Sequence, residues 1–273
     1  MPGTPWINPV KQRLAAGLPV VAATITTASV EIAAQTANLG FDFLWIEMEH
    51  SPITLETLRH MVLATRGLPA LPFARVPVNE IWTAKRVLDQ GVSGVMFPFS
   101  STPELARQAA AACHYPPGGR RGSGANLARF TWPTRDPYYD SADANIVVIV
   151  IIEEARAVER IDEIAATPGV DVLFIGTSDL SFSLGLRGDQ DHPLLQETIA
   201  KVVEAAKRHG KHLGRPAGTP AMAQKFFEQG FQLFQAPTEI GFLSAGAEAY
   251  LSPLRKSRQE PRSESETATR ALY

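Results

Sequence analysis

Short apolar segments rich in β-branched residues alternate along the chain with longer segments whose apolar residues recur at helical spacing. This alternation is typical of a parallel sheet whose strands are joined by crossover helices. Ile146–Ile152 is apolar at nearly every position, as expected for a strand buried on both faces. The pattern predicts eight strands: Val20–Thr27, Phe43–Glu49, Leu71–Pro77, Ser93–Phe99, Ile146–Glu153, Asp171–Thr177, His212–Gly218 and Leu233–Glu239.

Amphipathic segments fill the intervals between these strands. They predict helices that include Thr54–Arg66, Ile81–Gln90, Pro103–Cys113, Ala155–Ala166, Leu194–His209, Pro220–Gln229 and Phe242–Leu251. Eight strand–helix units in a chain of 273 residues predict an α/β fold, a (β/α)8 TIM barrel. A doubly wound open sheet is the competing arrangement, and the strand count favours the barrel.

A single barrel domain is expected over residues 1–256, and two segments fall outside its repeating pattern. Tyr115–Ser141 is a long connection rich in Pro, Gly and Arg, and it is predicted to form a lid, an interface or a wall of the active site. Ser257–Tyr273 is polar and is predicted to be a flexible tail or an arm onto a neighbouring copy.

Composition narrows the classes of partner. Charged residues make up 20% of the chain and the formal net charge is −2, so neither a nucleic-acid nor a membrane-surface partner is expected. No long apolar segment predicts a signal peptide or a membrane-spanning helix. Cys113 is the single cysteine, which excludes a disulfide within the chain and fits a cytoplasmic location.

Polar residues gather at the carboxyl ends of the predicted strands, where barrel enzymes build their active sites. Glu153 and Asp179 each follow a strongly apolar strand, and a buried carboxylate there needs a partner. A hard divalent cation such as Mg²⁺ or Mn²⁺ would supply one, because it prefers oxygen ligands. The alternative is that both carboxylates cap the helices that follow.

His50 and Arg75 complete the set of candidate side chains at strand ends. His50 precedes a Ser-Pro turn and could act as a general base, although a single histidine is more often structural. Arg75 could bind a carboxylate or stabilise a developing oxyanion, or it could form an ion pair with Glu47 or Glu49. No lysine falls late in a predicted strand, so carbonyl chemistry here favours a metal over a Schiff base.

Several segments resemble the class II, metal-dependent pyruvate aldolases, the family of 4-hydroxy-2-oxoheptane-1,7-dioate aldolase and 2-dehydro-3-deoxyglucarate aldolase. The family belongs to the phosphoenolpyruvate/pyruvate barrel superfamily. The resemblance covers about Val20 to Leu251. It is carried by FDFLWIEMEHSP, FARVPVNEIWTAKRVLDQGVSGVMFP, YPPGGRRGSGANLAR, IEEARAVERIDEIAATPGVDVLFIGTSDLSFSLG and GKHLG.

The resemblance implies a carbon–carbon lyase that cleaves or forms 4-hydroxy-2-oxo acids through a pyruvate enolate held by a divalent metal, with Mg²⁺ favoured over Mn²⁺ or Co²⁺. Glu153 and Asp179 would bind the metal, and the backbone N–H groups of Ser178 and Asp179 would receive the substrate carboxylate. Arg75 would stabilise the enolate oxygen.

The resemblance also implies that His50, oriented by Asp89, moves protons, and adjacent barrel strands are expected to bring those two residues together. The partners would be a small 2-oxo acid, pyruvate or oxaloacetate, and an aldehyde or other acceptor. Family members are typically hexamers, often with a helix exchanged between neighbouring subunits, so a homo-oligomer is expected.

Some positions depart from the family pattern and leave the acceptor open. Ile151 replaces a common Gln, Thr177-Ser178 replaces Pro-Ala, and Arg215 is predicted to lie near the mouth or an interface. Phe99 replaces a commoner smaller or more flexible residue, and Tyr138-Tyr139 adds aromatic bulk to Thr131–Asp140.

Three alternatives stay open from the sequence. Macrophomate synthase is a related branch, which would make the chain an oxaloacetate decarboxylase that transfers the enolate to another acceptor. A citrate-lyase-like enzyme acting on a coenzyme A thioester would need a nucleotide-binding surface. A barrel without catalytic activity is disfavoured because His50, Arg75, Glu153 and Asp179 are all present.

Overall fold

Eight parallel strands close into a barrel in chain order, with β8 paired to β1. The computed structural model describes residues 6–132 and 138–259. The strands are β1 Val20–Ile25, β2 Phe43–Glu47, β3 Leu71–Arg75, β4 Gly94–Phe97, β5 Val147–Ile152, β6 Val172–Ile175, β7 His212–Pro216 and β8 Leu233–Thr238. The predicted (β/α)8 fold is therefore confirmed.

Helices precede the first strand, join consecutive strands around the outside of the barrel and follow the last strand. They are α1 Pro9–Ala15, α2 Val30–Ala37, α3 Leu55–Ala64, α4 Ile81–Gln90, α5 Pro103–Cys113, α6 Asn126–Thr131, α7 Tyr138–Asn145, α8 Ala155–Glu159, α9 Ile161–Ala165, α10 Thr177–Ser183, α11 Pro193–Arg208, α12 Pro220–Glu228 and α13 Glu239–Gln259. The helix predicted over Ala155–Ala166 is divided into α8 and α9, because the chain leaves helical geometry at Arg160.

Every predicted strand is present, but each ends one or two residues before its predicted carboxyl end. The second strand shows the reason. Oε1 of Glu47 accepts hydrogen bonds from the backbone N–H groups of Glu49 (2.7 Å) and His50 (3.0 Å), and these two residues therefore turn away from the sheet. The apolar pattern marks where a strand is buried, and side-chain capping of this kind decides where it stops.

Large aromatic residues fill the inside of the barrel. Phe43 stacks on Phe73 with ring centroids 4.3 Å apart, and Trp45 lies 4.8 Å from Phe174. Glycines on adjacent strands make room for these rings, since a Cβ on Gly94 would stand 2.3 Å from a ring carbon of Phe73. Helix α1 closes the amino-terminal end of the barrel with the buried side chains of Val10 and Leu14.

The segment predicted as a lid, an interface or an active-site wall lies at the amino-terminal end of the barrel. It follows α5, and Nε1 of Trp132 donates to the carbonyl of Gly91 just before β4. Tyr138 is buried there beside Arg121, whose guanidinium donates to the phenol oxygen at 2.7 Å. The described part of the segment, residues 115–132 and 138–141, therefore does not cover the mouth of its own barrel, and a role of the segment at an interface stays a prediction. Residues 133–137 lie outside the described residues.

Helix α13 starts earlier and ends later than predicted, and only its first turn contacts the barrel closely. Farther along, its side chains are solvent-accessible, with Leu243 68% and Tyr250 75% exposed. Among the described residues, no helix combines the length and the hydropathy needed to cross a bilayer. Ser257–Gln259 belongs to this helix, and the rest of the predicted polar tail lies outside the described residues.

The aromatic packing inside the barrel leads to a stability prediction. Gly94→Ala places a methyl group against the buried ring of Phe73, so we expect the free energy of unfolding to fall by about 1–3 kcal/mol. Gly218→Ala is the matched control, since a Cβ there meets no atom within 4 Å. Urea denaturation of the two variants measures the difference, and equal midpoints would contradict this account of the core.

Candidate active site

Charged side chains from β2, β3 and β5 meet at the carboxyl-terminal end of the barrel. Glu47 ends β2 and Arg75 ends β3, and the two residues are paired in the register of the sheet. Glu153 directly follows β5, and Asp179 lies in α10 directly after β6. Parallel strands bring these positions to one mouth, as the sequence predicted.

Glu47 is the most completely bonded side chain at this mouth. It is buried, and its Oε2 accepts hydrogen bonds from Nε of Arg75 at 2.6 Å and from Nε1 of Trp45 at 3.3 Å. Its Oε1 accepts the two N–H groups that turn the chain after β2. Glu47 therefore fixes both the guanidinium of Arg75 and the position of His50.

The sequence named Glu47 and Glu49 as possible ion-pair partners of Arg75, and the structure shows both pairs. Oε2 of Glu49 lies 3.0 Å from a terminal nitrogen of Arg75, a contact without hydrogen-bond geometry, and this buried oxygen has no hydrogen-bond partner. Burial raises the pKa of Glu49, and the charges of Glu47 and Asp179 add to the rise while Arg75 opposes it. In the sequence, its position directly before His50 was a further indication that Glu49 belongs to the site.

Glu153 is 2% exposed and lies at the mouth, directly after β5. Its Oε1 accepts a hydrogen bond of 2.6 Å from the backbone N–H of Phe99, which sequence reasoning had considered only for its ring. Burial raises the pKa of Glu153 to about 7; the nearby Glu49 and Asp179 charges add to the rise, and the Phe99 N–H and Arg75 oppose it. Groups whose pKa is shifted this far by burial and neighbouring charges are frequent at functional sites.

Ser178 and Asp179 lie in the first turn of α10, and both are exposed at the mouth. Backbone N–H groups in a first turn have no partner within the helix. The position agrees with the expected approach of a substrate carboxylate, which stays a prediction.

His50 and Asp89 are not brought together within one chain. His50 follows the carboxyl end of β2 and is exposed, with its Nε2 3.8 Å from Oε2 of Glu49. Asp89 is the penultimate residue of α4, a helix that runs back from the end of β3 to the start of β4. It therefore lies at the opposite end of the barrel, where Gly124 packs beside it and Oδ1 is buried without a partner.

Arg215 is outside the mouth, contrary to one of its two predicted locations. It is buried, and its guanidinium carbon lies 3.6 Å from the ring centroid of Phe226 on α12 and 5.2 Å from that of Phe231. Burial lowers the pKa of Arg215 to about 10. It does not belong to the cluster of charged groups at the strand ends.

The donor set fits a divalent cation bound by Glu153 and Asp179. Within the described residues, no group of three or more His, Cys, Asp or Glu side chains is arranged to hold a metal. Glu47, Glu49, Glu153 and Asp179 nevertheless bring four carboxyl groups to the mouth, and Arg75, which pairs with the first two, balances their charge only in part. Hard cations bound through one or two carboxylates keep positions for substrate and water.

Comparison with known proteins agrees with this site. The family model HpcH/HpaI aldolase/citrate lyase matches residues 25–244. The chain belongs to the HpcH/HpaI aldolase/citrate lyase family. It is 36% identical over 217 residues to 5-keto-4-deoxy-D-glucarate aldolase of Salmonella arizonae, covering 80% of this chain and 85% of the relative.

Solved structures share the same fold. A family member from Burkholderia cenocepacia is 35% identical with a TM-score of 0.84, covering 91% of this chain and 99% of that one. Macrophomate synthase is 24% identical with a TM-score of 0.82, covering 91% and 88% of the two chains, and this likeness concerns the fold alone. The predicted resemblance, the barrel and the lyase class are confirmed at the level of the family.

Proposed function

We propose that this enzyme is a divalent-metal-dependent pyruvate aldolase that cleaves or forms 4-hydroxy-2-oxo acids. The observation that carries the proposal is that Glu153, Asp179 and Arg75 meet at one mouth, where acidic side chains outnumber basic ones and the pKa of Glu153 is raised. The similarity to 5-keto-4-deoxy-D-glucarate aldolase supports a 2-oxo acid as substrate. The aldehyde partner stays open.

In the proposed reaction Glu153 and Asp179 would hold the cation, with Mg²⁺ favoured and Mn²⁺ or Co²⁺ as substitutes. A bound cation would supply Lewis-acid polarisation of the 2-oxo group. Arg75 would donate hydrogen bonds to the oxygen that becomes negative as the enolate forms. Glu47 would keep the guanidinium in place for this role, since its Oε2 already accepts from Nε of Arg75.

Cleavage also needs a base to take the proton of the substrate's 4-hydroxyl group as the C3–C4 bond breaks. The bond's electron pair becomes the enolate, and a proton delivered to C3 completes pyruvate. His50 is the proposed carrier of these protons. Its exposure at the mouth leaves room for a substrate hydroxyl or an intervening water.

Oxaloacetate decarboxylation is the second candidate reaction, and one observation favours it. One chain assembles Arg75, Glu153 and Asp179, which serve the enolate, but leaves His50 apart from Asp89. Loss of carbon dioxide produces the enolate without a base. Decarboxylation therefore needs Arg75, Glu153 and Asp179 but not the pairing of His50 with Asp89.

The protein is also proposed to work as a homo-oligomer, with a hexamer expected from the resemblance. Helix α13 carries exposed apolar side chains. Two apolar grooves, of about 480 and 540 Å³, lie beside the start of this helix. Phe41 and Phe242 line both grooves. A second copy that covers them could exchange α13, and another copy could bring Asp89 to His50.

The metal proposal is tested by titrating metal-stripped protein with Mn²⁺. Glu153→Gln and Asp179→Asn each remove anionic charge, so we expect loss of Mn²⁺ binding and of turnover with an unchanged circular dichroism spectrum. Asp140→Asn is the control, because it removes an exposed carboxylate of α7, which leads to the start of β5, at the other end from the mouth. Wild-type affinity in both site variants would contradict the assignment.

The same titration has a predicted pH dependence. The folded, cation-free protein holds more protons at Glu153 than the unfolded chain between pH 4.5 and about 7, so this group's contribution to stability falls as pH rises through that window. Mn²⁺ needs the ionised carboxylate, and its affinity should fall about tenfold per pH unit below 7, with release of one proton. Calorimetry in buffers of different ionisation enthalpy measures that proton.

The role of His50 is tested by comparing two reactions on one variant. His50→Ala should slow aldol cleavage by about 10²- to 10⁴-fold and leave oxaloacetate decarboxylation much less affected, because only cleavage needs the base. Asp89→Asn should show a weaker form of the same selectivity. Equal losses in both reactions would assign His50 to substrate binding.

The assembly proposal is tested by light scattering at micromolar concentration. We expect a mass several times that of the 29.6 kDa protomer, and a smaller mass for Leu243→Glu, which places a charge on the exposed apolar part of α13. Glu248→Gln on the same helix is the control. A wild-type monomer would contradict the proposal.

A further inference from the structure

The backbone of Phe99 has an unusual conformation beside the candidate metal site. Its φ is 47°, in the left-handed region that a residue with a Cβ rarely adopts. Phe99 is the second residue after β4, and its ring is 44% exposed. Strained conformations persist when the surrounding structure fixes them, and they are frequent at functional sites.

Hydrogen bonds to buried serines hold this turn. The carbonyl of Phe99 accepts from the backbone N–H of Ser101 at 2.8 Å and from its hydroxyl at 3.2 Å. Ser100 donates its N–H to the carbonyl of Ile151 on β5, and its hydroxyl accepts from Nδ2 of Asn79 at 3.0 Å. The Ser100 N–H thus attaches the turn to β5, the strand that Glu153 directly follows, and Asn79 attaches it to the loop after β3.

The consequence is a fixed donor for Glu153. The N–H of Phe99 points at Oε1 of Glu153 over 2.6 Å, and a hydrogen bond to a charged acceptor is both short and directional. The carboxylate is thereby held by one oxygen. The other oxygen, Oε2, stays available on the side of β6.

Gly176 shapes the space around that second oxygen. A Cβ at Gly176 would stand 2.9 Å from both Oε2 and Cβ of Glu153, and 3.2 Å from a methyl carbon of Ile151. Gly176 is the residue before α10, which carries Asp179. The missing side chain therefore keeps open the gap between Oε2 of Glu153 and the start of α10.

We propose that Phe99 is a positioning residue, whose peptide N–H and the gap at Gly176 together clamp Glu153 so that Oε2 faces a cation shared with Asp179. This inference rests on the proposed function, in which these two carboxylates bind a divalent metal. The exposed ring of Phe99 is dispensable in this arrangement, and its amide is not.

An amide-to-ester replacement tests the clamp directly. Incorporation of 3-phenyllactic acid at position 99 keeps the ring and removes only the N–H, and Phe99→Gly keeps the N–H, removes the ring and accepts positive φ without strain. At pH 8.5, where Glu153 is ionised, we expect Mn²⁺ to bind roughly tenfold more weakly to the ester, as for loss of a hydrogen bond to a charged group. Phe99→Gly should stay within about threefold of wild type.

Gly176→Ala provides a second route that does not depend on ester incorporation. Its methyl group displaces Glu153 from the gap, so we expect a loss of Mn²⁺ affinity of roughly tenfold or more, and Gly218→Ala should bind as wild type does. Electron paramagnetic resonance of free Mn²⁺ measures each dissociation constant, and circular dichroism checks the fold.

The outcomes separate this inference from the function on which it rests. A wild-type protein that binds no Mn²⁺ would overturn the proposed metal site itself. Wild-type binding with an unchanged ester, or an equal loss in the ester and in Phe99→Gly, would overturn the clamp and leave the metal site standing. Unchanged affinity in Gly176→Ala would likewise overturn it.

Discussion

Like charges held close together at one end of the barrel are the constraint on which the candidate site depends. Glu47, Glu49 and Glu153 lie at the mouth with Asp179, and Arg75 contacts the first two. Burial is the main reason why the pKa values of Glu49 and Glu153 are raised, and the neighbouring carboxylates add to the rise because they disfavour one another's ionised form. Either a retained proton or additional positive charge would relieve this repulsion, and the proposed function depends on the second.

The fold was largely predictable because a barrel strand is buried on both faces and therefore produces a nearly unbroken apolar segment. All eight strands, and the gathering of Glu153, Asp179 and Arg75 at one mouth, followed from that pattern and the direction of the strands. The strand ends were less accurate. Glu49 and His50 continue the strand in sequence, but hydrogen bonds to Glu47 turn them out of the sheet.

The predicted pairing of His50 with Asp89 failed within one chain because the two residues lie at opposite ends of the barrel. Asp89 lies near the end of a helix that returns to the start of the sheet, so it cannot reach His50 in the same chain. That signal was present in the sequence, since each connecting helix runs opposite to its strands. The path of α13 and the left-handed turn at Phe99 had no such signal, because they depend on contacts between distant segments. The assembly, the compartment and the roles of the site residues stay predictions.

Acidic residues are bonded differently at the two ends of the barrel. Those at the amino-terminal end mainly stabilise the fold, and those at the carboxyl-terminal end form the candidate site. Asp42 and Asp171 precede their strands, and each pairs with a basic side chain while its other oxygen accepts a backbone N–H from an adjacent strand. At the mouth, Glu49 retains a buried oxygen without a hydrogen-bond partner. That oxygen has an ion-pair contact of 3.0 Å with Arg75 but no hydrogen bond, and because an acceptor without a hydrogen bond is costly to bury, a further donor or cation would stabilise it. Asp89 is the exception at the amino-terminal end, with an unpartnered buried oxygen of its own. By the same reasoning, its missing partner is expected to come from another molecule, and the exposed His50 of a second copy has the complementary chemistry.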